Sequence, residues 1–485
     1  MKIPTYILEI VKDLKVSGYE AYIVGGCVRD ILMDREPQDW DIATNARPEE
    51  ILKVFKDAKY ENEFGTVLLP IRAAIKGQEI KGKLEDVVEI TTYRSEQDYS
   101  DRRHPDIVRF ETEIDKDLER RDFTFNAMAL DPSDHEKIID YFGGQKDIKA
   151  KIVRAVGEPS DRFKEDALRM LRAIRFSSQL GFELEPKTQR GITKLAGSLK
   201  FISPERIRDE LIKILASVRP YEGIKLLHDC KLLQYVLPEL EQGVGVKPAR
   251  HHIYPVFEHN LLTLKYCPSP EWPVRLAALL HDVAKPKTQK MIKGINTFYN
   301  HEYVGAKMVD RIMSRLKFTN EDRLRVVNLI KNHMFYYNVG EVTAASVRRL
   351  IVKVGRENLK DLIDLRIADR LGSGTPKAMP YKLRHLQYMM EKVQNDPISV
   401  KMLKINGDDL MKALNIPPGP KIGAILDVLL SEVIEEPELN TVKYLLTRVK
   451  ELDKFNLEEL REKAKEVIAE KRQEDDYEIK KQFKV

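Results

Sequence analysis

The stretch that most constrains this chain is residues 23–42, IVGGCVRDILMDREPQDWDI. A short apolar run ends at Gly25 and Gly26, where the backbone can turn tightly and approach a ligand without an intervening Cβ. A helix is predicted from near Cys27, so its free backbone N–H groups begin at a glycine turn and form a site for an anion. Arg29 adds a fixed positive charge to that site. The pattern predicts a phosphate-binding turn between a strand and a helix.

Two carboxylates follow in the next run predicted to be extended, at Asp39 and Asp41. Side chains alternate along a strand, so both carboxylates are predicted to point to one face. They repel each other unless a cation lies between them, and Mg²⁺ suits the position because proteins commonly share this hard ion with substrate phosphates. An isolated Asp-x-Asp is usually a solvated turn. A phosphate cradle at this spacing from the two carboxylates instead favours nucleotidyl transfer.

The whole stretch resembles the nucleotidyltransferase signature of class II CCA-adding enzymes and bacterial poly(A) polymerases, which share a polymerase-β-like head. The resemblance implies an α/β head followed by an all-α neck, an HD-type helical domain and a helical tail. A chain of 485 residues is too long for one core and agrees with several modules. We place the head, neck, HD-containing body and tRNA-binding tail at residues 1–150, 151–225, 226–395 and 396–485.

A second head motif occupies residues 120–127, RRDFTFNA. A bare Arg-Arg-Asp is usually a surface ion pair, but the full motif resembles the second motif of the family, which implies that Arg121 contacts the triphosphate. Asp122 and Asn126 are candidates to hold the ribose or a loop by hydrogen bonds. Glu89, on a neighbouring predicted strand, is either a third metal carboxylate or an outward-facing strand residue.

Residues 165–176, EDALRMLRAIRF, are predicted to form one amphipathic helix. Asp166 and Arg169 lie three residues apart and therefore close on one face, where a salt bridge is the simplest interpretation. A carboxylate also accepts from the amino groups of C and A and rejects the carbonyls of U and G. The stretch resembles the fourth motif of the family, which implies that this pair reads the base. Arg172 and Arg175 would then support the template or the triphosphate.

Histidines are concentrated between residues 250 and 375. A lone histidine on an apolar helix is usually a core residue, but a longer series resembles the HD phosphohydrolase superfamily in its form with six ligands and room for two metals. Imidazole with carboxylate suits Mn²⁺, Ni²⁺, Co²⁺ or Fe. Lys285 and Arg370 are candidates for phosphate contact or are solvated cations. The six implied ligands are His259, His281, Asp282, His301, His333 and Asp369.

The tail, residues 403–450, is predicted to contain a capped short helix, a PPGP turn and a further helix beginning near Lys421. The backbone amides of that turn either contact RNA phosphate or only connect two helices, and a resemblance to the tail of bacterial CCA-adding enzymes favours tRNA contact. Residues 93–110 resemble a flexible loop linked in the family to addition of the final A, with Asp98 and Arg102 as its pattern. Residues 452–485 are predicted to form an exposed helix that frays.

Composition limits the partners and the compartment. A net charge of +5 neither requires nor excludes nucleic acid. The three cysteines, Cys27, Cys230 and Cys267, have neither paired nor metal-ligand spacing and fit a reducing cytoplasm. The sequence has no apolar run near the roughly 20 residues that span a bilayer, so no membrane partner is expected. The oligomeric state is not implied.

We predict an enzyme that adds C, C and A to tRNA 3′ ends from CTP and ATP with Mg²⁺ and releases pyrophosphate. Its HD site is predicted to remove 2′,3′-cyclic or terminal phosphates from RNA ends or nucleotides. The rivals are an enzyme that adds only CC or only A, a bacterial poly(A) polymerase, a metal phosphohydrolase whose head only binds RNA, and a non-catalytic RNA-binding protein. The FGTV run at 64–67 and the tail favour CCA addition over poly(A) synthesis.

Overall fold

The computed structural model shows an α/β region at the N-terminus followed by helices, which confirms the predicted order of an α/β head and a helical remainder. No helix within the described ranges is long and apolar enough to cross a membrane. The structure describes residues 3–61, 65–70, 87–97, 107–134, 137–248, 253–293, 295–335, 337–338, 343–375, 379–393 and 399–463.

The head is built on one mixed sheet of seven strands in the order β3-β4-β5-β2-β1-β8-β9. Strands β2 and β5 run parallel, and the other neighbouring pairs are antiparallel. The head strands are β1 (Ala21–Val24), β2 (Asp41–Thr44), β3 (Lys59–Tyr60), β4 (Thr66–Pro70), β5 (Val87–Thr92), β6 (Arg94–Gln97), β7 (Ile107–Phe110), β8 (Ala129–Asp131) and β9 (Lys137–Ile139).

Helix α1 covers part of this sheet because its apolar residues recur at helical spacing. Ile7, Ile10, Val11 and Leu14 are all buried in the head core. The head helices are α1 (Thr5–Val16), α2 (Gly26–Leu32), α3 (Pro48–Val54), α4 (Ile114–Glu119) and α5 (Gly144–Ala150), with a 3₁₀ turn at Thr124–Asn126.

A second core runs without interruption from the neck into the helices that carry the histidines. It joins Phe123 and Phe125 of the head to Leu168 and Leu171 of the neck and to Leu280 of the body. The predicted boundary at residue 225 falls inside this shared core and stays a prediction. The neck and body helices are α6 (Pro159–Glu165), α7 (Leu168–Leu180), α8 (Pro186–Leu195), α9 (Pro204–Leu215), α10 (Pro220–Asp229), α11 (Leu233–Val236), α12 (Pro238–Glu241), α13 (Val256–Lys265), α14 (Trp272–Leu280), α15 (Lys285–Thr288), α16 (His301–Arg315), α17 (Asn320–Asn332), α18 (Ala344–Val354), α19 (Leu359–Gly372) and α20 (Tyr381–Val393).

Short two-stranded elements accompany these helices, namely β10 (Ile152–Val153) with β11 (Glu183–Leu184), and β12 (Lys290–Ile292) with β13 (Ile295–Thr297). The tail has a core of its own. Its helices are α21 (Gly407–Leu414), α22 (Pro420–Glu435) and α23 (Val442–Leu452). The capped short helix and the helix after the PPGP turn are therefore confirmed, with Asn406 as the cap of α21. The predicted terminal helix lies outside the described residues from position 464 onward.

Three predicted elements differ in the structure. Strand β2 begins at Asp41, so Asp39 precedes it in a bend, because the pairing with β1 ends at the Val24–Asp41 pair where β1 turns away at its glycines. The sequence from Pro48 to Lys59 predicts a short amphipathic helix, but the helix stops at Val54 and the chain then turns into β3. The helix predicted from residue 165 begins at Leu168 instead.

Residues 93–110, which resemble the flexible loop of the family, contain a strand near each end, where β6 and β7 pair as an antiparallel ribbon. The runs Arg94–Gln97 and Ile107–Phe110 are each four residues long. Runs of this length are too short for an alternating pattern to indicate a strand. Asp98 and Arg102 lie outside the described residues.

Candidate active sites

The head brings its carboxylates together at the point where β2 begins. Asp41 lies directly beside Glu89 in the parallel register of β2 and β5. Burial, together with the charge of Asp39, raises the pKa of Asp41 although Arg121 opposes it. Burial and the Asp41 carboxylate likewise raise the pKa of Glu89. Carboxylates that disfavour each other's charge in this way fit a divalent cation, which would neutralise them. The structure thus favours Glu89 as a third carboxylate of this cluster.

The glycine turn lets the cationic and anionic parts of the site meet. Gly25 has φ +80°, and a Cβ there would lie 2.8 Å from Nη1 of Arg121 and 3.3 Å from Oδ2 of Asp41. Any side chain at this position would displace a group predicted to bind phosphate or metal. Gly26 is the first residue of α2, and the Cβ position of that residue lies 3.6 Å from Nη2 of Arg29.

Both predicted phosphate-binding arginines of the head are held in place by acids. Arg29 donates to both carboxylate oxygens of Asp30, each at 2.9 Å, and to Oδ1 of Asn126 at 2.9 Å. Arg121 donates to Oδ2 of Asp117 at 3.1 Å. These ion pairs fix the guanidinium groups before any nucleotide binds.

Asp117 is a functional residue that sequence reasoning missed. Its carboxylate is buried and accepts hydrogen bonds from both Arg120 and Arg121. Burial alone would raise the pKa of Asp117, but the two guanidinium groups hold it below its ordinary value. The available signal was its position three and four residues before the two arginines on helix α4, a spacing that brings side chains together.

The predicted base-reading pair lies at the junction of two helices. Asp166 has an extended backbone between α6 and α7, so the salt bridge expected three residues apart on one helix does not form. Asp166 instead accepts from the backbone N–H of Leu168 at 2.9 Å and from Arg206 at 2.7 Å. Arg169 donates to Glu165 and to the carbonyl of Arg120. Arg206 is a second residue that the sequence analysis missed.

Arg172 and Arg175 have different surroundings. Arg172 donates to Oδ2 of Asp122 at 2.7 Å, and Asp122 also accepts from Asn126. The motif therefore ties head to neck, and the predicted ribose contact of Asp122 and Asn126 stays a prediction. Arg175 is buried and donates to Glu210 at 2.9 Å, and burial lowers the pKa of Arg175 to about 10. Arg175 therefore links α7 to Glu210 of α9.

The structure brings all six predicted HD ligands into one buried cluster. They come from five separate parts of the helical body. Helices α13, α16 and α19 carry ligands, and the segments directly after α14 and α17 supply the others. The ligands are His259 in α13, His281 and Asp282 directly after α14, His301 at the start of α16, His333 directly after α17, and Asp369 in α19.

Asp282 stands at the centre of this cluster. Its Oδ2 lies 3.2 Å from Nε2 of both His259 and His281, and its Oδ1 lies 3.2 Å from Nε2 of His301. Oδ1 of Asp369 lies 3.4 Å from Nε2 of His259. Two triads of potential ligand atoms result, His259–His281–Asp282 and Asp282–His301–His333, and within each the atoms lie within 4.8 Å of one another. Asp282 belongs to both triads and would therefore help to hold an ion in either one.

Three of the imidazoles are oriented by backbone carbonyls. Each Nδ1 lies within hydrogen-bond distance of the carbonyl three residues earlier, so the rings of His281, His301 and His333 turn Nε2 into the cluster. Burial, reinforced by His281, lowers the pKa of His333 to about 3, which keeps this ring neutral and able to bind metal. Within the described part of the chain, Oδ1 of Asp282 and Nε2 of His301 are buried without a hydrogen bond. This donor set fits divalent metal ions.

A cavity of about 280 Å³ opens onto the cluster and is lined by cations as well as ligands. Lys285 is buried and forms an ion pair with Asp282, so its interpretation as a solvated lysine is wrong. Arg366, which the sequence analysis did not single out, donates to Oδ2 of Asp369 at 2.7 Å. Nε of Arg370 is buried and has no hydrogen-bond partner among the residues that the structure describes. The cavity therefore combines cationic side chains with a cluster of potential metal ligands.

A carboxylate cluster beside a glycine turn on a mixed sheet, with a helical body carrying six clustered His and Asp ligands, defines a nucleotidyltransferase that carries an HD domain. Comparisons with known proteins agree. The family model described as "Poly A polymerase head domain" matches residues 21–154, and the model described as "Probable RNA and SrmB- binding site of polymerase A" matches residues 181–243. The model described as "HD domain" matches residues 256–373.

The chain belongs to the family of CCA-adding enzymes. It is 32% identical over 450 residues to the CCA-adding enzyme of Enterococcus faecalis, covering 91% of this chain and 94% of that protein. It is also 36% identical over 341 residues to an A-adding tRNA nucleotidyltransferase of Deinococcus radiodurans, covering 67% of this chain and 76% of that one. Among solved structures, the Bacillus stearothermophilus CCA-adding enzyme in complex with CTP matches with a TM-score of 0.67 at 26% identity, over 94% of this chain and 98% of the other.

Proposed function

We propose that this enzyme adds C, C and A to the 3′ end of tRNA from CTP and ATP and releases pyrophosphate. The observation that carries the proposal is the head cluster, in which Asp41 lies in register with Glu89 while Arg121 approaches Asp41 across Gly25. The relatives named CCA-adding enzyme that match over nearly the full length support the same activity.

The residues of the head have separate roles in this reaction. Asp39 and Asp41, with Glu89 beside them, would hold Mg²⁺, which when bound supplies charge stabilisation at the reacting phosphate. Arg121 and Arg29, fixed by their acids, are placed to bind the triphosphate of the incoming nucleotide. The 3′-hydroxyl of the tRNA is the nucleophile and attacks the α-phosphate, and pyrophosphate leaves.

We further propose that Asp166 and Arg169 select C and A by their hydrogen bonds to the base. A carboxylate accepts from an amino group and rejects a carbonyl, and a guanidinium supplies donors to ring nitrogen or carbonyl acceptors. Arg206 donates to Asp166 at 2.7 Å. Arg172, which lies in α7 together with Arg169, donates to Asp122. These contacts support a rigid reader, which selection by hydrogen bonding requires.

The A-adding relative keeps addition of A alone as the main rival. The test is a tRNA transcript that lacks CCA, incubated with CTP alone, ATP alone and both, with products resolved by length. Two additions with CTP and one more with ATP support the proposal. A product that stops at CC when both nucleotides are present, or addition of A only to a tRNA that already ends in CC, assigns a partial activity. A ladder with ATP alone assigns poly(A) synthesis.

We propose that the HD cluster is a second active site that hydrolyses phosphate esters, with Mn²⁺, Ni²⁺, Co²⁺ or Fe as its metal. His259, His281, Asp282, His301, His333 and Asp369 would hold the ions, which when bound supply an activated water and stabilise phosphoryl oxygens. Lys285, Arg366 and Arg370 line the cavity and are placed to bind the anionic ester. The substrate class is 2′,3′-cyclic or terminal phosphates of RNA ends. One water opens the cyclic ester to a 2′- or 3′-phosphate monoester, and a second hydrolysis releases inorganic phosphate and leaves the 3′-hydroxyl that the head requires.

The test of this second activity is hydrolysis of a 2′,3′-cyclic mononucleotide by enzyme stripped of metal and reloaded with each ion in turn. Hydrolysis that depends on one or more of these metals supports the proposal. No hydrolysis with any of them would contradict it.

Other parts of the chain are assigned by weaker support. Lys421 lies in the first turn of α22 and donates to Asp453, so the proposed contact of the tail with tRNA would be made by the turn amides. Cys27, Cys230 and Cys267 are buried free thiols, a state that fits a reducing cytoplasm. The division at 150, 225 and 395 is proposed on the same basis as the motifs.

A further inference from the structure

Helix α20 (Tyr381–Val393) presents two different faces. Leu383, Leu386 and Met390 are buried against α18 and α19. On the other side, Tyr381 and Tyr388 are 63% and 57% exposed. Two large rings exposed on one helix face form a contiguous aromatic patch, and such patches commonly mark binding surfaces.

The exposed rings form a continuous row with one histidine between them. Tyr381, His385 and Tyr388 follow one another at helical spacing, and each neighbouring pair of ring centroids is 6.0 Å apart. Tyr337 extends the row from a different segment, with its ring centroid 5.9 Å from that of His385 and its hydroxyl hydrogen-bonded to Nδ1 of His385. We call these four residues the aromatic row.

Basic side chains neighbour the rings along the same helix. Lys382 and Arg384 are exposed there, and Lys382 donates to Oδ1 of Asn338. The stretch 379–390, MPYKLRHLQYMM, contains no acidic residue, and Glu391 follows it. Rings alternating with positive charges are the arrangement with which proteins hold single-stranded nucleic acid, because bases stack on the rings and phosphates pair with the cations. The positive charge of these side chains favours RNA as the occupant over an apolar protein segment with few acidic residues.

The aromatic row begins beside the HD cavity. Met334 lines that cavity and is 56% exposed. Tyr337 follows three residues later, so its Cα lies within about 11 Å of that of Met334 even for a fully extended chain. Phe335, between them, packs under the guanidinium of Arg366, 5.8 Å from its ring centroid, and Arg366 also lines the cavity.

We propose that the aromatic row binds the last nucleotides of a single-stranded RNA whose phosphorylated 3′ end enters the HD cavity. The proposal rests on the phosphohydrolase activity proposed above and narrows its substrate class to RNA ends rather than free nucleotides. Stacking is tolerant of sequence because every base offers a flat face. The row therefore suits the varied ends of RNA and not one particular sequence.

The experiment compares two substrates that carry the same 2′,3′-cyclic phosphate, a mononucleotide and a single-stranded RNA of ten nucleotides. We expect the wild-type enzyme to have a lower KM for the oligonucleotide. The double variant Tyr381→Ala/Tyr388→Ala should raise the KM for the oligonucleotide about 10- to 100-fold, with kcat and the KM for the mononucleotide unchanged. The matched variant Tyr381→Phe/Tyr388→Phe keeps both rings and should behave as wild type.

Equal KM values for the oligonucleotide in the alanine variant and the wild type would overturn the proposal and assign the exposed rings to a protein partner. A wild-type enzyme that hydrolyses neither substrate refutes the phosphohydrolase and leaves the binding question to a second measurement. That measurement is photocrosslinking of the same RNA with 4-thiouridine at its 3′ end, mapped by mass spectrometry. Crosslinks to residues 381–388 would support the aromatic row, and crosslinks confined to other parts of the chain would overturn it.

Discussion

The head cluster and the HD cluster both bring together potential ligands for divalent metal ions, but they differ in burial and in residue type. In the head, carboxylates gather at the start of β2, Asp39 is exposed, and the nearby arginines are already paired with acids. In the body, six ligands are buried, and three of the imidazoles are oriented by backbone carbonyls. The head thus offers only part of a coordination shell, and the body offers nearly all of one.

This difference has a chemical consequence. Mg²⁺ is commonly held by one or two carboxylates together with substrate phosphates, so the head site is completed when a nucleotide binds. Imidazole-rich sites bind first-row transition metals by themselves. We expect the HD metals to remain bound during purification, whereas the head metal enters with each nucleotide.

Removal of one head carboxylate tests whether the head and HD sites act independently. Asp41→Asn should lower the rate of CTP incorporation about 1000-fold, because the metal it would hold supplies several kcal/mol of charge stabilisation. Primer-extension rates on tRNA lacking CCA measure this effect. Asp57→Asn, an exposed change in the same region, should leave incorporation unchanged. A parallel loss of phosphoester hydrolysis in Asp41→Asn would contradict two independent sites.

The converse change removes the carboxylate shared by both HD triads. Asp282→Asn should lower hydrolysis of a 2′,3′-cyclic phosphate about 1000-fold for the same reason and should reduce the metal content, while CTP incorporation continues. Elemental analysis after gel filtration gives the metal content independently of activity. Asp310→Asn on α16 changes only a half-exposed ion pair and serves as the control. Full retention of metal by Asp282→Asn would count against a central role for this residue.

The buried carboxylate of Asp117, which pairs with the head arginines, should contribute to the free energy of unfolding. Asp117→Asn leaves Arg120 and Arg121 without their shared partner and should reduce the free energy of unfolding by about 3–5 kcal/mol, as for other broken buried ion pairs. Because the folded-state pKa of Asp117 is below its ordinary value, its contribution is present above about pH 4 and is lost as the pH falls further. Urea unfolding between pH 3 and 7 measures both effects.

The wild-type protein should therefore lose more stability than Asp117→Asn as the pH falls from 5 to 3. Asp115→Asn, on the same helix but outside this ion-pair cluster, is the control. Identical acid dependence of the wild type and Asp117→Asn would show that the arginines do not stabilise the ionised acid.

The smallest expected effect concerns base selection. Asp166→Asn replaces an obligate acceptor by a group that also donates, so it should reduce the preference for CTP over UTP by about 1.5–3 kcal/mol, the worth of a hydrogen bond to a charged group. The ratio of kcat/KM values for the two nucleotides is the measurement. Asp161→Asn, an exposed neighbour, should keep the wild-type ratio. An unchanged ratio in Asp166→Asn would leave Asp166 only its structural contacts with Arg206 and Leu168.

The two regions also differ in how far the sequence predicts them. The HD ligands span positions 259 to 369, yet the resemblance of the histidine series to HD phosphohydrolases was enough to predict a set that the structure brings together. The glycine turn was likewise predictable, because the positive φ of Gly25 follows from its residue type, and Asp41 was predictable from the Asp-x-Asp pattern that follows the turn. What the sequence could not supply was the pairing of β2 with β5, which brings Glu89 beside Asp41.

The charged supports of the head and neck were harder to predict. Arg206 and Glu210 read as ordinary surface charges on an amphipathic helix, and only the packing of α9 against α7 brings them to Asp166 and Arg175. The place of Asp39 before the strand depends on where β1 ends, which is a property of the partner strand and not of the Asp-x-Asp pattern itself. Long-range pairing, rather than local propensity, therefore limited the prediction.

Both proposed active sites can be tested on one substrate, a tRNA that lacks CCA and ends in a 2′,3′-cyclic phosphate. It is supplied with CTP and ATP together. A blocked end has no 3′-hydroxyl, so extension requires both sites in sequence. We expect the wild type to produce a CCA end. Asp282→Asn should extend only tRNA with a free 3′-hydroxyl, and Asp41→Asn should unblock the end without extending it. Extension of the blocked tRNA by Asp282→Asn, or a wild type that leaves it blocked, would contradict two active sites that act in sequence.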